Sequence, residues 1–305
     1  MKKLYWIAGL CCLAGIVLLG IAFIMIQGDF TKFNSKNVGP AEERVYESTT
    51  DITKIYIRDY SSSIKIKGGD VSKPTVEYRE SDVHKYAITE EDGVLKVERN
   101  KDFKTVLCSI DFNRYELCVV IPKNYDGLLE VKNTSGSINI SDAKSKEMYV
   151  YNTSGSIRLT NASVAGDVQV SGTSGGIKVE KMTCGNCLVE NTSGSIKLND
   201  VTADGNVTTE NSSGSITLND VAADGNVTTK NSSGSVRFEN LSATGDIRMS
   251  NTSGSIKGSI VGDESDYSIT AINTSGSCNL NNSTSGSKLL HIENHSGSIK
   301  VKFTK

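Results

Sequence analysis

Apolar side chains recur along this chain in a paired pattern that restarts about every twenty residues. Counted from the first residue of each restart, the place four earlier holds Leu129, Met148, Val168, Cys187, Val207, Val227, Ile247, Ile269 and Leu290, and the place two earlier holds Val131, Val150, Val170, Val189, Thr209, Thr229, Met249, Ala271 and Ile292. Five places after each start come Ile138, Ile157, Ile177, Ile196, Ile216, Val236, Ile256, Cys278 and Ile299, and two later Ile140, Leu159, Val179, Leu198, Leu218, Phe238, Gly258, Leu280 and Val301. Residues two apart on a strand share one face, so each restart predicts two strands with inward apolar faces. A third column (Ala143, Ala162, Met182, Val201, Val221, Leu241 and Val261) predicts a short third side. Lys, Glu, Asn, Thr and Arg fill the places between, as expected of wet outer faces.

The restart itself is a phrase, Asn133-Thr-Ser-Gly-Ser-Ile138, repeated from Asn152, Gly172, Asn191, Asn211, Asn231, Asn251, Asn273 and Asn294 at spacings of 19, 20, 19, 20, 20, 20, 22 and 21 residues. A period of this length with no helical signal inside it specifies an all-β fold, a β-solenoid of about 20-residue coils. The Thr-Ser-Gly step between the strands calls for a glycine at positive φ. The leading Asn133, Asn152, Asn191, Asn211, Asn231, Asn251, Asn273 and Asn294 are expected to stack about 4.8 Å apart as a ladder of mutually bonded amides. The same triplets fit the glycosylation acceptor pattern, but their periodicity is explained by turn chemistry.

Ahead of the repeats, Met1-Lys2-Lys3 precedes 23 uncharged residues from Leu4 to Ile26. As a helix this segment would cover about 35 Å, enough to cross a bilayer, and the leading lysines place the amino end in the cytoplasm. The expected organisation is a cytoplasmic stub (1–3), one transmembrane helix as anchor (4–26), a polar linker (27–43), a degenerate coil with a β-hairpin cap (44–128) and the solenoid (129–305). In the degenerate coil, Asp59 stands in the Asn place and Ser62 in the Gly place. The period is lost between Lys67 and Asp126, where strand-like segments and turns such as Glu91-Asp92-Gly93 predict hairpins over the membrane-proximal end.

The Asn-Thr-Ser-Gly-Ser-Ile-Lys phrase, the lysine-headed anchor, Gly28-Asp29-Phe30 just beyond it and the closing Ser296-Gly-Ser-Ile-Lys-Val301 resemble the putative adhesin family, a domain of unknown function in Gram-positive envelope proteins. The resemblance spans roughly Val45 to Phe303. It implies a β-solenoid displayed at the cell surface, in proteins often found beside envelope-stress regulators, and it supplies no catalytic residues.

A net charge of −2 over 305 residues gives no general attraction to nucleic acid. One local pattern stands out six places after each start: Asn139, Arg158, Lys178, Lys197, Thr217, Arg237, Lys257, Asn279 and Lys300. Six of the nine are basic and share one outward row, so Arg158, Lys178, Lys197, Arg237, Lys257 and Lys300 form a candidate strip for a polyanion such as an anionic cell-wall polymer. Glu180, Asp200, Asp220 and Glu239 lie near enough in sequence to offset it as a solvated face.

Other chemistry is sparse. Cys184-Gly-Asn-Cys187 is a single CxxC whose cysteines fall in small-residue core places, a weak zinc signal, and Cys278 likewise takes an isoleucine place. Cys108 and Cys118 flank an expected hairpin tip and are a candidate cross-strand disulfide. His84, His291 and His295 are expected far apart or outward, and no serine has a recurring His and acid partner. Asp204-Gly-Asn206 and Asp224-Gly-Asn226 are turns rather than a calcium array. No cofactor or metal site is expected, and no enzyme activity. The functional expectation is a membrane-anchored extracellular binding or adhesin-like module. The alternative is a self-assembling envelope scaffold, because the carboxyl-terminal coil has no evident cap.

Overall fold

The computed structural model describes residues 39–100 and 114–305, together with Gly15, Ile16 and Gly20, which are helical. Apart from those three positions, the anchor expected over 4–26 lies outside the described residues. Among the described residues no helix is long and apolar enough to cross a membrane.

The apolar columns become the inner faces of two parallel sheets. Each coil contributes one strand to each sheet, in register with the coils above and below: Ile196, Lys197 and Leu198 lie opposite Ile216, Thr217 and Leu218, and Val207 and Thr209 opposite Val227 and Thr229. Side chains alternate across a strand, so a one-residue slip would turn every apolar column to solvent, and this pins the register. Val207, Ile216, Leu218 and Val227 are fully buried. The two inward threonines, Thr209 and Thr229, bond to each other through their hydroxyls at 3.0 Å.

Each phrase glycine has φ between 98° and 124°, as the Thr-Ser-Gly bend requires. A Cβ on Gly214 would sit 2.1 Å from the carbonyl oxygen of Gly194 in the next coil, so the corner needs glycine for its backbone conformation and for close approach alike. A second corner leads into the expected third side. Asp142, Asn161, Lys181, Asp200, Asp220 and Asn240 all take φ of 51–55°, folding each second strand, such as Ile216–Ala223, around to the third side. Asn and Asp tolerate this left-handed region better than most residues. The third column is buried as expected except at Val261, which is 40% exposed. The pairing of Val236–Ala243 with Ile256–Val261 shifts register after Phe238, and Ile260 takes the inward place instead.

At the amino-terminal end, β1 (Glu42–Glu47), β2 (Lys54–Arg58), β3 (Ser63–Gly69), β4 (Thr75–Glu80), β5 (Tyr86–Glu91), β6 (Val94–Arg99), β7 (Glu116–Pro122), β8 (Leu128–Asn133) and β9 (Ile138–Ser141) close the stack. The degenerate coil is a true rung: β2 pairs in parallel with β8 and β3 with β9. Below it β6 and β7 continue the two sheets in parallel. Only the outermost strands are antiparallel, β5 on β6, then β4 on β7 and β1 on β4.

The carboxyl-terminal end departs from simple sequential stacking. The strand Lys288–Ser296 pairs on one side with Ile247–Ser253 and on the other with Tyr267–Ser275. The last coil in sequence is therefore inserted beneath the one before it, and the Asn273 coil is outermost. The ends are covered, contrary to expectation. Ser283 exchanges backbone hydrogen bonds with Ile269 at 2.9 and 3.0 Å, and Asn282 accepts from the Ala271 amide. On the other sheet the Asn279 side chain accepts from the Val301 N–H (2.9 Å) and donates to its C=O (2.7 Å), as a neighbouring strand would. Being on the end rung, Cys278 is exposed despite its isoleucine place.

Candidate binding surface

The outward row beginning at Lys65 is continuous. Lys65 lies opposite Asn139, which lies opposite Arg158, and the row runs on through Lys178, Lys197, Thr217, Arg237 and Lys257 to Lys300. Lys65 is a member that counting from the phrase missed, because its coil lacks the Asn and Gly. Asn279, expected between Lys257 and Lys300, lies beyond Lys300 owing to the transposed coil.

The row is not uniform in charge. Glu180 meets Lys178 at 2.7 Å and Arg158 at 3.7 Å, and Glu116 meets Lys65 at 2.7 Å. The Lys178 ammonium, by hydrogen bond first, holds the Glu180 carboxyl below its ordinary range. Asp200 and Asp220 do not reach the row: they sit at the left-handed corner, where Asp220 accepts from the Asn240 amide. Lys197, Arg237, Lys257 and Lys300 have no ion pair among the described residues, and neither has Lys302, two residues beyond Lys300 on the same outward face. Arg237, Lys257, Lys300 and Lys302 border a shallow depression of about 460 Å³. It arises where Gly258 replaces the usual apolar residue and the Phe238 ring fills the gap, 2.6 Å from where a Cβ would stand.

The Asn side chains are buried, as a ladder requires, but their bonding differs from that expected. Asn152, Asn191 and Asn211 each donate to the phrase-glycine carbonyl of the preceding coil at 2.8–2.9 Å, and Asn133 donates to Ser62. Amide-to-amide bonds occur only at the end, from Asn251 to Asn294 and from Asn294 to Asn273, both 3.2 Å. At that corner the glycine carbonyls point at the amides, so these outcompete the neighbouring Asn. A side-chain ladder does form at the Asp-Gly-Asn turns: Asn186, Asn206 and Asn226 each accept from the next coil's backbone amide at 2.8–2.9 Å, and Asp246 accepts from Leu289. Those turns hold no group of potential metal ligands among the described residues.

His84 is far from His291 and His295 in the chain, but it does not point outward. It is fully buried, stacked on Tyr115 with ring centroids 3.6 Å apart and 3.4 Å from the Ser62 hydroxyl. Asp59, in the Asn place, accepts from the amides of Tyr60, Ser61 and Ser62 and from the Tyr86 hydroxyl. Burial pushes the Asp59 carboxyl up, but those hydrogen bonds outweigh it and leave it below its ordinary value. Burial, aided by the Arg99 charge, lowers His84 to about 3. The Asp59 carboxylate is fully engaged away from His84, whose Nδ1 has no partner, and Ser62 is 1% exposed. The cluster is a polar pin in the base, with no room for a substrate at Ser62.

Cys184 and Cys187 are buried side by side, and their mutual hydrogen bond and burial push the Cys187 thiol well up. Cys118 is half-buried with a free thiol, and its candidate partner Cys108 lies outside the described residues.

These elements make a two-sheet β-solenoid with glycine corners. The chain belongs to the Toastrack DUF4097 family, whose description matches residues 52–302. A search of curated proteins finds no match. Solved structures to which this chain is similar include a putative adhesin from Parabacteroides distasonis (14% identity, TM-score 0.51, covering 87% of this chain and 98% of the other). A second, described as a putative adhesin from Parabacteroides merdae, shares 15% identity with a TM-score of 0.47 over 88% and 97% of the two chains. A third, described as a putative lipid binding protein from Parabacteroides distasonis, shares 14% identity with a TM-score of 0.33 over 87% and 97%.

Proposed function

We propose that this protein is a membrane-anchored, extracellular, non-enzymatic binding module whose solenoid meets an anionic cell-wall polymer through the distal half of its basic row. The observation that carries this reading is the run of Arg237, Lys257, Lys300 and Lys302 around the Gly258 depression, four cations that form no ion pair among the described residues and outnumber the one acid on its border, Glu239. Repeated cations at strand spacing suit a chain of regularly placed phosphates, which they would hold by summed long-range attraction rather than by one pocket. The uncharged 4–26 segment behind two lysines supports anchoring with the solenoid outside. The scaffold alternative is less well supported, because Ser283 and Asn279 cover the edges that end-to-end stacking would use.

The test uses the full chain in detergent and purified teichoic acid. Affinity should fall at least about tenfold between low salt and several hundred millimolar, since exposed charges are screened over about 10 Å at 0.1 M. Arg237→Glu with Lys257→Glu should abolish binding, while Lys144→Glu with Lys146→Glu, off the row, should not. Salt-independent binding, or equal sensitivity to both pairs, would refute the proposal.

A further inference from the structure

The other sheet carries a second surface of different chemistry. Its outward places one before and one after each leading residue form two rows that flank a groove of about 700 Å³ running along several coils. One row passes through Tyr151, Ser171, Glu190, Glu210, Lys230 and Ser250, each opposite the next in register. The second is made of hydroxyls, one per coil: Thr153, Thr173, Thr192, Ser212, Ser232 and Thr252, all exposed. The charges along the groove are largely spent on one another. Lys230 pairs with Glu210 at 2.8 Å, and Glu190 accepts from the Ser171 hydroxyl at 3.1 Å. No unpaired cation lines it among the described residues, so it offers nothing to a polyanion.

Aromatic rings gather at its amino-terminal end. Tyr56 and Tyr151 stand half-buried on the outer face on either side of Lys132, whose ammonium lies 5.4 and 5.7 Å from their ring centroids. The Tyr151 hydroxyl donates to Gln169 in the next coil, which lays the ring across the sheet. An aromatic face with an apolar body and a polar tip, left partly in water on a sheet's outer surface, is a usual partner for groups that are themselves apolar on one side and polar at the edge.

We infer that this groove binds a linear, uncharged polysaccharide, with pyranose faces stacking on Tyr151 and, just beyond the amino-terminal end of the groove, on Tyr56, and ring hydroxyls exchanging hydrogen bonds with the Thr/Ser row and Glu190. Three observations converge on that class. The hydroxyl row repeats at strand spacing, about 4.8 Å, close to the length of one sugar ring in an extended glycan. With Lys230 paired to Glu210 and Glu190 the one charge left over, the groove repels a polyanion and favours a neutral partner. The tyrosines supply the stacking platform that a purely polar ligand would not need. Each rung contributes weakly, and affinity builds as successive sugars engage successive coils.

The experiment measures binding of the full chain in detergent to cellohexaose and chitohexaose by calorimetry. Binding to at least one is expected, with affinity rising from the trimer to the hexamer and unchanged between 0.05 and 0.5 M salt. Tyr151→Ala and, separately, Thr192→Val should each weaken it about tenfold or more without moving the thermal midpoint. Arg237→Glu with Lys257→Glu should leave it unaltered, which separates this groove from the basic row. Absence of binding to both oligosaccharides, insensitivity to Tyr151→Ala and Thr192→Val in folded protein, or loss on raising salt would each overturn the inference.

Discussion

Replacing Gly214 with alanine tests the corner on which the whole stack depends. Gly214 has φ of +120°, and a Cβ there would come within 2.1 Å of the Gly194 carbonyl oxygen and 3.3 Å of the Asn211 amide nitrogen. Holding an L-residue in that glycine-only region costs about 1–3 kcal/mol. The carbonyl must also retreat, and it is the acceptor for the Asn211 side chain at 2.9 Å. Moving that peptide disturbs the flanking bonds from Gly194 to Ser213 (2.9 Å) and from Gly214 to Ser233 (2.8 Å) as well. With each of the three bonds worth about 1 kcal/mol, the total is about 4–6 kcal/mol. For a domain of this size that corresponds to a fall of about 10 °C in the thermal midpoint. Gly176→Ala is the matched control: the nearest atoms to its Cβ are 3.6 and 3.7 Å away, and serine fills the same place in other coils. It should shift stability by less than about 0.5 kcal/mol. Circular dichroism melts of the two variants decide the matter, and equal midpoints would show that the glycine stack is not what constrains the corner.

Two further outcomes follow from burial. Ile216→Asp places a carboxylate in a fully buried column and should cost several kcal/mol, whereas Thr217→Asp on the outward row should leave the urea midpoint nearly unchanged; equal damage would mean the faces are misassigned. Acid should loosen the base. The His84 ring is held neutral down to about 3, facing Asp59, Arg99, Tyr86, Tyr115 and Ser62, so below its ordinary value of about 6.5 the unfolded chain takes up the proton first. The contribution of the buried neutral ring is whole above pH 6.5 and is lost progressively as pH falls toward 3. Asp59, held below its ordinary value, loses its contribution over the lower part of that window. A loss of about 2–3 kcal/mol between pH 7 and pH 4 is expected, and urea midpoints across that range should show a shallower slope for His84→Gln than for the parent chain; identical slopes would remove His84 from the account.

Periodicity made the coils legible because every inward place is filled by the same few side chains and the registers admit no slip. It reached the basic row as well, since one offset from the phrase names one row. What escaped depended on non-repeating contacts. The left-handed corner left a trace, five of its six positions being Asn or Asp, but a residue type common in any turn does not announce one φ. The Asn amides looked like a ladder because stacked amides commonly form one, and only coordinates reveal the glycine carbonyls that outcompete them. His84 lies in the segment without a period, where nothing in the sequence brings it beneath Ser62. The spacings of 22 and 21 near the end were the only mark of the transposed coils, and length alone does not distinguish a longer loop from an exchanged order.

That exchange has a consequence for how the molecule is made. From the Asn133 coil to the Asn251 coil each rung can settle on the one before it as the chain emerges, but Tyr267–Ser275 has no partner strand until Lys288–Ser296 slides in beneath it. A chain cut short after Ser275 would leave both the Asn251 rung and the Asn273 segment with bare edges. Shutting the far end thus hangs on one strand, Lys288–Ser296, which gives both of its neighbours their backbone partners at once.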